Sequence, residues 1–364
     1  MYKELSTPAV IVDLDTVENN IRNMAEKLSA AGIDHRPHIK THKSVKFARM
    51  QLAAGARGIT TAKLSEAEVF AEAGFDDILV AHSIVGEDNR ERLAALHRKI
   101  DVRVTVDSLE SAVGLSAVGE KTGKPVKVLI EIDGGLHRGG RQPGQDAVDF
   151  ARELQRLPGI EIEGIMGYFG LVYKENTVPE IAEYAKYEAQ TVNRVASDLR
   201  KAGIPVSVVS SGSTPTSLLG EHLRGAVTEV RAGNYIFYDV SAVEIGFAEE
   251  RDCALRVIAT VISTPLPGMA TIDAGTKTLT SDKSHHGNGF GRLVGLPGAE
   301  IASLNEEHGF VRFDPERVSL RVGDRVEIIP NHSCVIPNLN GRVFGVRRGK
   351  LEETIPVDAR GCDF

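Results

Sequence analysis

The sequence predicts an α/β protein in which an N-terminal (β/α)8 barrel of the TIM type is followed by a mostly antiparallel β domain. Two observations predict the barrel: short, nearly continuous apolar runs alternate with amphipathic helical segments, and eight such β/α steps precede residue 247. Parallel strands buried on both faces are apolar throughout, and eight of them suffice to close a barrel. Beyond residue 247 no long helical segment is evident, which indicates antiparallel strands.

The strands are expected in a regular order. The first barrel strand ends at Lys40, and the other seven are the runs 58–62, 77–81, 101–106, 126–132, 160–166, 206–210 and 228–237. An earlier apolar run, 8–14, precedes a helix for which Asp15 or Thr16 offers an N-cap. We therefore assign residues 15–247 to the barrel, and residues 1–14 together with 248–364 to the β domain.

The β domain is predicted from short apolar runs separated by turn sequences. The runs are 255–263, 269–272, 309–313, 325–329 and 342–346, and the separators are 265–268, 287–289 and 338–341. Proline, glycine and asparagine dominate these separators, as they do in tight turns.

Composition excludes several classes of partner. The chain has 364 residues, a net charge of −7 and a pI near 5.9, so it lacks the basic surface of a nucleic-acid-binding protein. No apolar run approaches the roughly 20 residues of a membrane span, and no signal-peptide core follows Met1. The three cysteines are widely spaced and odd in number, which favours a reducing, cytoplasmic location over a disulfide framework.

The segment around Lys40 is the strongest indication of chemistry. Three histidines and two lysines lie within ten residues: His35, His38, Lys40, His42 and Lys43. Barrel enzymes place their catalytic residues at the C-terminal ends of strands, and a partly desolvated lysine there becomes a nucleophile towards an aldehyde. The alternative is a surface strand end with solvated basic residues.

Other strand ends carry residues suited to an anion or an aromatic ring. They are Arg138 in the glycine-rich loop 133–140, Ser211, Gly212, Ser213 and Thr214 in the loop 210–216, and Arg231, Gly233, Asn234 and Tyr235 after the eighth strand. Small residues expose backbone N–H groups to a phosphate, and barrels often bind phosphate after strands seven and eight. Alone, each glycine would be ordinary turn chemistry. Combined with a nucleophilic lysine, the set describes a site for pyridoxal phosphate.

A second constellation lies in the β domain. His332 and Cys334 are two residues apart, so in an extended segment both side chains would face one side and could bind one metal ion. Two protein ligands leave positions open for water and substrate. A half-buried strand pair is the alternative. Asp273 and Asp282 are further candidates for the rim of the site, with turn formation as their alternative role.

Together these stretches resemble the D-threonine aldolase/D-serine dehydratase family, metal-dependent relatives of alanine racemase among the fold-type III pyridoxal phosphate enzymes. The matching segments are RPHIKTHKS (36–44), EIDGGLHRGG (131–140), SSGSTPT (210–216), TEVRAGNYIFYD (228–239), TIDAGTKTLTSD (271–282), NEEHG (305–309) and PNHSCVIPN (330–338). The resemblance implies a barrel, a C-terminal β domain and a homodimer with active sites at the boundary between domains and subunits.

The resemblance also implies roles for single residues. Lys40 corresponds to the lysine that forms an imine with the cofactor, and Arg138 to an arginine near its phenolic oxygen. Tyr168 matches a tyrosine close to the cofactor, and Arg231 an arginine against the pyridine nitrogen. The phosphate would be held by Ser211, Gly212, Ser213, Gly233 and Asn234. Glu307 and His308 belong to a family marker without an assigned role and could lie near the partner's site.

His332 and Cys334 match the metal pair of the family. The aldolase branch has histidine-x-aspartate at this place and the dehydratase branch histidine-x-cysteine. A thiolate favours zinc over the manganese or magnesium that carboxylate sites accept. The following residues, 335–338, match neither branch cleanly.

The resemblance therefore implies a lyase acting on D-3-hydroxy amino acids, by β-elimination to a 2-oxo acid and ammonia or by retro-aldol cleavage to glycine and an aldehyde. Three alternatives remain open: an amino-acid racemase of the alanine racemase type, a non-catalytic pyridoxal phosphate-binding protein, and a barrel enzyme without a cofactor.

Overall fold

A computed structural model describes residues 1–284, 287 and 289–364. Within these residues the chain forms an eight-stranded parallel sheet and a nine-stranded, mostly antiparallel sheet. The two sheets correspond to the barrel and the β domain that the sequence predicts. Asn288, in the predicted separator 287–289, lies outside the described residues.

The strands and helices are as follows. The strands are β1 (Ala9–Asp13), β2 (Asp34–His35), β3 (Ile59–Thr61), β4 (Asp77–Ser83), β5 (Asp101–Val106), β6 (Val126–Asp133), β7 (Ile160–Tyr168), β8 (Val208–Ser210), β9 (Glu229–Val230), β10 (Leu255–Ser263), β11 (Met269–Ile272), β12 (Arg292–Leu293), β13 (Glu300–Leu304), β14 (Gly309–Arg312), β15 (Arg325–Ile329), β16 (Arg342–Arg347) and β17 (Lys350–Pro356). The helices are α1 (Leu14–Ala31), α2 (Val45–Ala53), α3 (Leu64–Glu72), α4 (Glu87–His97), α5 (Leu109–Thr122), α6 (Gln145–Leu154), α7 (Val178–Lys201), α8 (Thr214–Ser217), α9 (Val240–Ile245), α10 (Thr276–Leu279) and α11 (Ile336–Leu339).

The parallel strands close into a barrel. Their order is β2-β9-β8-β7-β6-β5-β4-β3, and a parallel bridge between His38 and Thr60 joins the two ends. The Thr60 amide donates to Pro37 O at 2.8 Å, and the Arg57 amide donates to His35 O at 2.9 Å. Closure brings the C-terminal ends of all eight strands to one mouth, as expected for this fold.

The first helix shows how the sequence produces the outer layer. Helix α1 buries Val17, Ile21, Met24 and Leu28, which recur every three or four residues along one face. Its N-cap differs from the prediction. Asp13, not Asp15 or Thr16, caps the helix by accepting a hydrogen bond from the Thr16 amide at 2.9 Å. The cap lies two residues before the predicted Asp15, because α1 begins at Leu14, immediately after the end of β1 at Asp13.

The predicted barrel strands are found, and the last is much shorter than expected. β9 spans Glu229–Val230 only, and a 3-10 turn covers Asn234–Ile236. The predicted run 228–237 therefore divides into a strand end and a loop at the barrel mouth. Apolar residues within this loop, including Ile236 and Phe237, are fully buried, which explains their strand-like pattern.

The barrel interior is packed in layers. Leu79, Leu129 and Met166 form an apolar cluster inside the barrel. Near the N-terminal ends of the strands, Arg36 is fully buried and binds Glu229 at 2.9 Å and Asp77 at 2.7 Å. Ion pairs thus occupy the base of the barrel, and the opposite end remains open.

The β domain takes in the N-terminal strand. β1 pairs antiparallel with β10 and parallel with β16, although more than 240 residues separate Ala9 from its partner Ile258. The main strand order is β13-β14-β11-β10-β1-β16-β17, while β15 pairs with β10 and β12. The exact division at residues 14/15 and 247/248 remains a prediction. In the described ranges, no helix is long and apolar enough to cross a membrane.

Candidate active site

A cavity of about 790 Å³ lies at the open mouth of the barrel. Residues at or after the C-terminal ends of the barrel strands line it, together with residues of the β domain. Those at the barrel mouth include Lys40, Lys63, His82, Asp107, Arg138, Tyr168, Gly212 and Arg231, and those beyond the barrel include Asp282, His332 and Cys334. The barrel mouth and the predicted metal pair therefore share one space.

The prediction that the first barrel strand ends at Lys40 was wrong: β2 ends at His35, and Lys40 lies in a 3-10 turn, Ile39–Thr41, that begins after three further residues. Its side chain is accessible, but the space that it reaches is the cavity. Surrounding protein desolvates the ammonium and lowers the pKa of Lys40, and Arg138 and Arg231 act in the same direction. A nearby Cys334 thiolate opposes part of this effect. The net result favours the neutral amine, which is the nucleophilic form.

The other basic residues of this segment have different surroundings. Burial lowers the pKa values of His35 and His42 to about 4, so both are neutral core residues. His35 Nε2 lies 3.2 Å from Ala232 O, and His42 Nε2 lies 3.2 Å from Gln51 Oε1. Lys43 is bound to Asp363 at 2.6 Å. Structural roles therefore account for three of the five basic residues.

His38, for which the sequence predicted no role of its own, lines the cavity beside Lys40. Burial lowers the pKa of His38 well below its ordinary value, and Lys40, Arg231 and Arg138 lower it further. Its Nδ1 atom is buried without a hydrogen-bond partner among the described residues. His38 is thus a neutral ring beside the amine.

The loops after β8 and β9 form a close-fitting rim. Gly212 has φ +110°, and an added Cβ would lie 2.5 Å from Val230 Cγ1. At Gly233 an added Cβ would lie 2.6 Å from His38 O, so this loop packs against the Lys40 turn. In the part of the chain that the structure describes, the backbone N–H groups of Thr214, Gly233 and Asn234 find no acceptor. Unpaired N–H groups of this kind suit the phosphate of the cofactor that the family implies.

Two residues predicted to bind the cofactor lie behind this rim. The Ser211 hydroxyl donates to Glu188, and its amide donates to Glu229 O at 3.0 Å. Tyr235 is fully buried, and its hydroxyl accepts a hydrogen bond from Gln51 at 3.0 Å. Neither residue lines the cavity. They lie directly behind the cavity wall instead: Ser211 precedes Gly212 in the chain, and the Tyr235 amide donates to Thr214 Oγ1 at 3.2 Å.

Arg231 is held rigidly on the cavity wall. One guanidinium nitrogen donates to Ser210 Oγ at 2.8 Å, and another donates to Gly167 O at 2.7 Å. Across the cavity, the Arg138 guanidinium lies 4.6 Å from the centre of the Tyr168 ring, within cation–π range. The three predicted ring-contacting residues therefore face the same space.

The predicted metal ligands lie in a turn between β15 and α11, not in a strand. The expectation of an extended segment was wrong, because the chain turns at Ser333. His332 and Cys334 nevertheless line the same cavity and interact electrostatically. The Cys334 thiolate raises the pKa of His332, and despite burial the positive His332 lowers the pKa of Cys334.

Asp239 completes this part of the site. It is buried, and its Oδ2 lies 3.2 Å from His332 Nδ1 and accepts the Ser333 amide at 3.0 Å. Such a carboxylate fixes the ring so that the other nitrogen, Nε2, is the one free to bind a metal. Within the described ranges, no three His, Cys, Asp or Glu side chains are arranged to hold a metal. One imidazole and one thiolate therefore suit a soft divalent cation with open positions.

The remaining predicted residues divide in two. Asp282 lines the cavity, whereas Asp273 accepts hydrogen bonds from Thr7 at 2.6 Å and from the Thr260 amide at 2.7 Å. Asp273 is therefore structural. Glu307 pairs with Lys277 at 2.6 Å on the surface, and His308 is exposed.

Several cavity residues could not be identified from the sequence. Asp239 lies 93 residues from His332, and no spacing rule connects them. Lys63 and His82 were not predicted either. Their places at the C-terminal ends of barrel strands were the one signal that could have identified them.

Both halves of the chain match known family models. Residues 12–240 match the family model "Alanine racemase, N-terminal domain", and residues 254–346 match "Putative serine dehydratase domain". D-threo-3-hydroxyaspartate dehydratase of Delftia sp. (strain HT23) is 38% identical over 91% of this chain and 91% of its own length. D-threonine aldolase of Arthrobacter sp. is 32% identical over 98% of this chain and 93% of its own length.

Solved structures agree with the fold. D-threonine aldolase from Filomicrobium marinum superposes with a TM-score of 0.91, at 30% identity, over 99% of this chain and 97% of that chain. The dehydratase from Delftia sp. HT23 superposes with a TM-score of 0.88, at 34% identity, over 97% of both chains. A cysteine-to-alanine variant of that dehydratase is described as being in the metal-free form.

Alanine racemase from Clostridium difficile 630, at 19% identity and a TM-score of 0.71, shares the fold alone. Both family models match, and full-length relatives exceed 30% identity. This chain belongs to the D-threonine aldolase/D-serine dehydratase family.

Proposed function

We propose that this protein is a pyridoxal phosphate- and divalent-metal-dependent lyase that acts on D-3-hydroxy amino acids. One observation carries the proposal: a desolvated lysine and a histidine–cysteine pair line the same cavity. The names of the relatives support it, since they include a 3-hydroxyaspartate dehydratase, a D-threonine aldolase and a D-serine dehydratase.

The cofactor would be held by Lys40, by the unpaired N–H groups of Thr214, Gly233 and Asn234, and by Arg138 and Arg231. When bound, pyridoxal phosphate supplies an electron sink for the bonds at the substrate's α-carbon. The metal would be held by His332 and Cys334, and it supplies a Lewis acid for the β-hydroxyl group. We expect zinc because the thiolate is a soft ligand, with manganese or magnesium as alternatives.

The residues of the chain then have distinct tasks. Lys40, whose pKa is lowered by burial, would accept the proton of the α-carbon. Arg231 is fixed by Ser210 and the Gly167 carbonyl. It would offer a cationic donor to the cofactor's ring nitrogen and so keep that nitrogen unprotonated. Asp239 holds His332 in the ligating orientation.

Two outcomes are compatible with this site. Loss of the α-proton, followed by departure of the hydroxyl group as water, gives an enamine that water hydrolyses to a 2-oxo acid and ammonia. Loss of the hydroxyl proton followed by cleavage of the Cα–Cβ bond gives glycine and an aldehyde. The orientation in which the cavity residues hold the substrate would decide which of its two bonds breaks.

The test is incubation of the holoenzyme with D-serine, D-threonine and D-3-hydroxyaspartate, with 2-oxo acid and glycine measured separately. We expect one of the two products, and we expect chelation by EDTA to stop turnover while the cofactor stays bound. Turnover that survives chelation would remove His332 and Cys334 from the mechanism. Lys40→Ala should abolish the visible imine absorbance without loss of fold, and a retained band would contradict the assignment of Lys40.

We also infer a homodimer and a cytoplasmic location. The dimer is supported by family membership, and light scattering tests it. The location is supported by the three free cysteines, Cys253, Cys334 and Cys362.

A further inference from the structure

We propose that Lys63 and His82 form a subsite for a second carboxylate, so that the preferred substrate is a D-3-hydroxy amino acid with a carboxylate on its β-carbon. This inference rests on the proposed function, because it concerns the substrate of the same site. We call the pair the β3–β4 corner. It distinguishes a dicarboxylic substrate of the 3-hydroxyaspartate type from D-serine and D-threonine.

The corner is built from two adjacent strand ends. Lys63 follows β3, His82 lies near the end of β4, and Lys63 Nζ is 3.4 Å from His82 Nε2. Both side chains line the cavity that contains Lys40. The corner therefore faces the reaction space.

The ammonium group of Lys63 forms no ion pair with a carboxylate among the described residues. Across the ranges that the structure describes, no carboxylate lies within 4.0 Å of this group, whose hydrogen-bond partner is His82. Two acidic side chains of the cavity, Asp107 and Asp239, have donors of their own. Asp107 accepts from Ser83 at 3.3 Å and from the Gly140 amide at 2.9 Å. Asp239 is occupied by His332. An incoming carboxylate would thus meet a cation that has no carboxylate bound to it.

The backbone beneath the corner is fixed in advance. Glu66 accepts hydrogen bonds from the amides of Ala62 at 2.6 Å and of Lys63 at 3.2 Å. Its other oxygen lies 3.4 Å from Lys43 Nζ, so the carboxylate serves the backbone and Lys43 rather than the Lys63 ammonium. A side chain that starts from an anchored backbone loses less freedom when it binds.

Lys63 and His82 both keep N–H groups that can donate hydrogen bonds to a carboxylate. Burial lowers the pKa of His82, and Lys63 and Arg138 lower it further, so the ring is neutral near pH 7. The Lys63 ammonium donates to Nε2, and the remaining ring nitrogen then carries a hydrogen. Two further ammonium N–H groups and this ring N–H remain for a carboxylate.

The order of strands explains why the corner meets the far end of a substrate. In the order of strands around the barrel, the rim follows β8 and β9, Lys40 follows β2, and the corner follows β3 and β4. A molecule that reacts at Lys40 lies between the rim and the corner. Its α-carboxylate is common to all D-3-hydroxy amino acids, but only a dicarboxylic substrate brings a second anion to β3 and β4.

The experiment compares kcat/KM of the holoenzyme for D-threo-3-hydroxyaspartate with its values for D-serine and D-threonine. We expect the wild type to prefer the dicarboxylic substrate. Lys63→Gln should lower kcat/KM for that substrate by roughly 10- to 100-fold, the range of a lost charge-assisted hydrogen bond. The values for the monocarboxylic substrates should change by less than about twofold. Lys99→Gln is the matched control, because it removes the same charge from an exposed position outside the cavity.

A binding measurement gives a readout without turnover. Succinate should bind the wild-type holoenzyme more tightly than propionate in calorimetry, and Lys63→Gln should remove that difference. Equal losses for mono- and dicarboxylic substrates would overturn the inference, because they would indicate an α-carboxylate or structural role. A wild type that cleaves D-serine or D-threonine but does not prefer hydroxyaspartate would overturn it while the proposed function stands. Absence of turnover with every substrate would overturn the proposed function, and succinate binding would still decide on the corner.

Discussion

Two lysines three residues apart show how surroundings decide chemistry. Lys40 and Lys43 lie in the same turn, but Lys43 is bound to Asp363 and lies 3.4 Å from Glu66. Lys40 has no such carboxylate within ion-pair distance in the described ranges, and it reaches into the cavity between Arg138 and Arg231. Of the two, only Lys40 has an amino group that is directed into the cavity and has no carboxylate partner among the described residues.

The reactivity of Lys40 should depend on pH in a way that follows from its lowered pKa. A folded-state pKa below 10.5 means that the neutral amine becomes dominant at a lower pH than in a free lysine. The rate at which the apoenzyme reacts with pyridoxal phosphate should rise with pH. It should level off at a lower pH than the rate of the same reaction with N-acetyl-lysine amide. Stopped-flow absorbance measures both. Coincident profiles would mean that the amine is fully solvated.

Asp239 is the residue that we propose orients His332 for metal binding. It is buried, and the donors that keep it charged include His332, Asn234 and the amides of Ser333 and Ala242. Burial opposes ionisation, but these contacts hold the pKa of Asp239 below its ordinary value.

Asp239→Asn should weaken metal binding by roughly 10- to 100-fold, the range found when the hydrogen-bond partner of a ligating histidine is changed. Competition with a fluorescent chelator measures the affinity, and the imine absorbance should be unchanged. Asp273→Asn serves as the control, because Asp273 is a hydrogen-bonded carboxylate that does not line the cavity. Equal metal affinity in the Asp239 variant and the wild type would show that Asp239 does not orient His332.

At the scale of the elements, the short loops after β8 and β9 present unpaired backbone N–H groups to the cavity, which a paired strand does not. Each ends its strand early and brings a glycine against neighbouring backbone or side chain, so that N–H groups remain unpaired at the cavity. Gly212 is the sharper case, because its positive φ and the nearby Val230 both exclude a Cβ.

Gly212→Ala should therefore shift the loop and weaken cofactor binding by about tenfold or more, since the strain is roughly 1–3 kcal/mol. Equilibrium titration of the apoenzyme with pyridoxal phosphate measures this. Gly203→Ala is the matched control: its φ is +78°, but an added Cβ would meet nothing within 4 Å. It should cost stability without changing cofactor affinity. Equal affinities for the two variants would show that the loop is not part of the phosphate site.

At the scale of the whole molecule, the barrel separates stability from function. Arg36, Asp77, Arg103, Glu163 and Glu229 form ion pairs at the closed base, while the open mouth holds the cavity. Removing one partner of a buried pair leaves a charge uncompensated in a poorly solvated place.

Arg36→Met should lower the free energy of unfolding by about 3–5 kcal/mol, because Glu229 and Asp77 lose their partner. Arg57→Met, at an exposed pair with Asp34, should change it by no more than about 1 kcal/mol. Urea titration followed by circular dichroism measures both. Similar values for the two variants would mean that the base of the barrel is hydrated. Neither variant should alter the pH profile of Lys40.

The fold and the location of the site could be predicted because both rest on local patterns. Apolar continuity identified β5, β10, β11 and β15 with correct bounds, and strand ends pointed to Lys40 and Arg138. The sequence could not show that β9 stops at Val230, because buried loop residues are as apolar as a strand.

What the sequence by itself determined was the succession of strands and helices, and therefore which loops meet at the barrel mouth. The tertiary structure alone decided which polar side chains face the cavity. His35 and His38 illustrate the difference: both lie in one short segment, but one binds a backbone carbonyl and the other lines the cavity. The physical reason is that charge and hydrogen bonding depend on neighbours from distant strands, as Asp239 beside His332 shows.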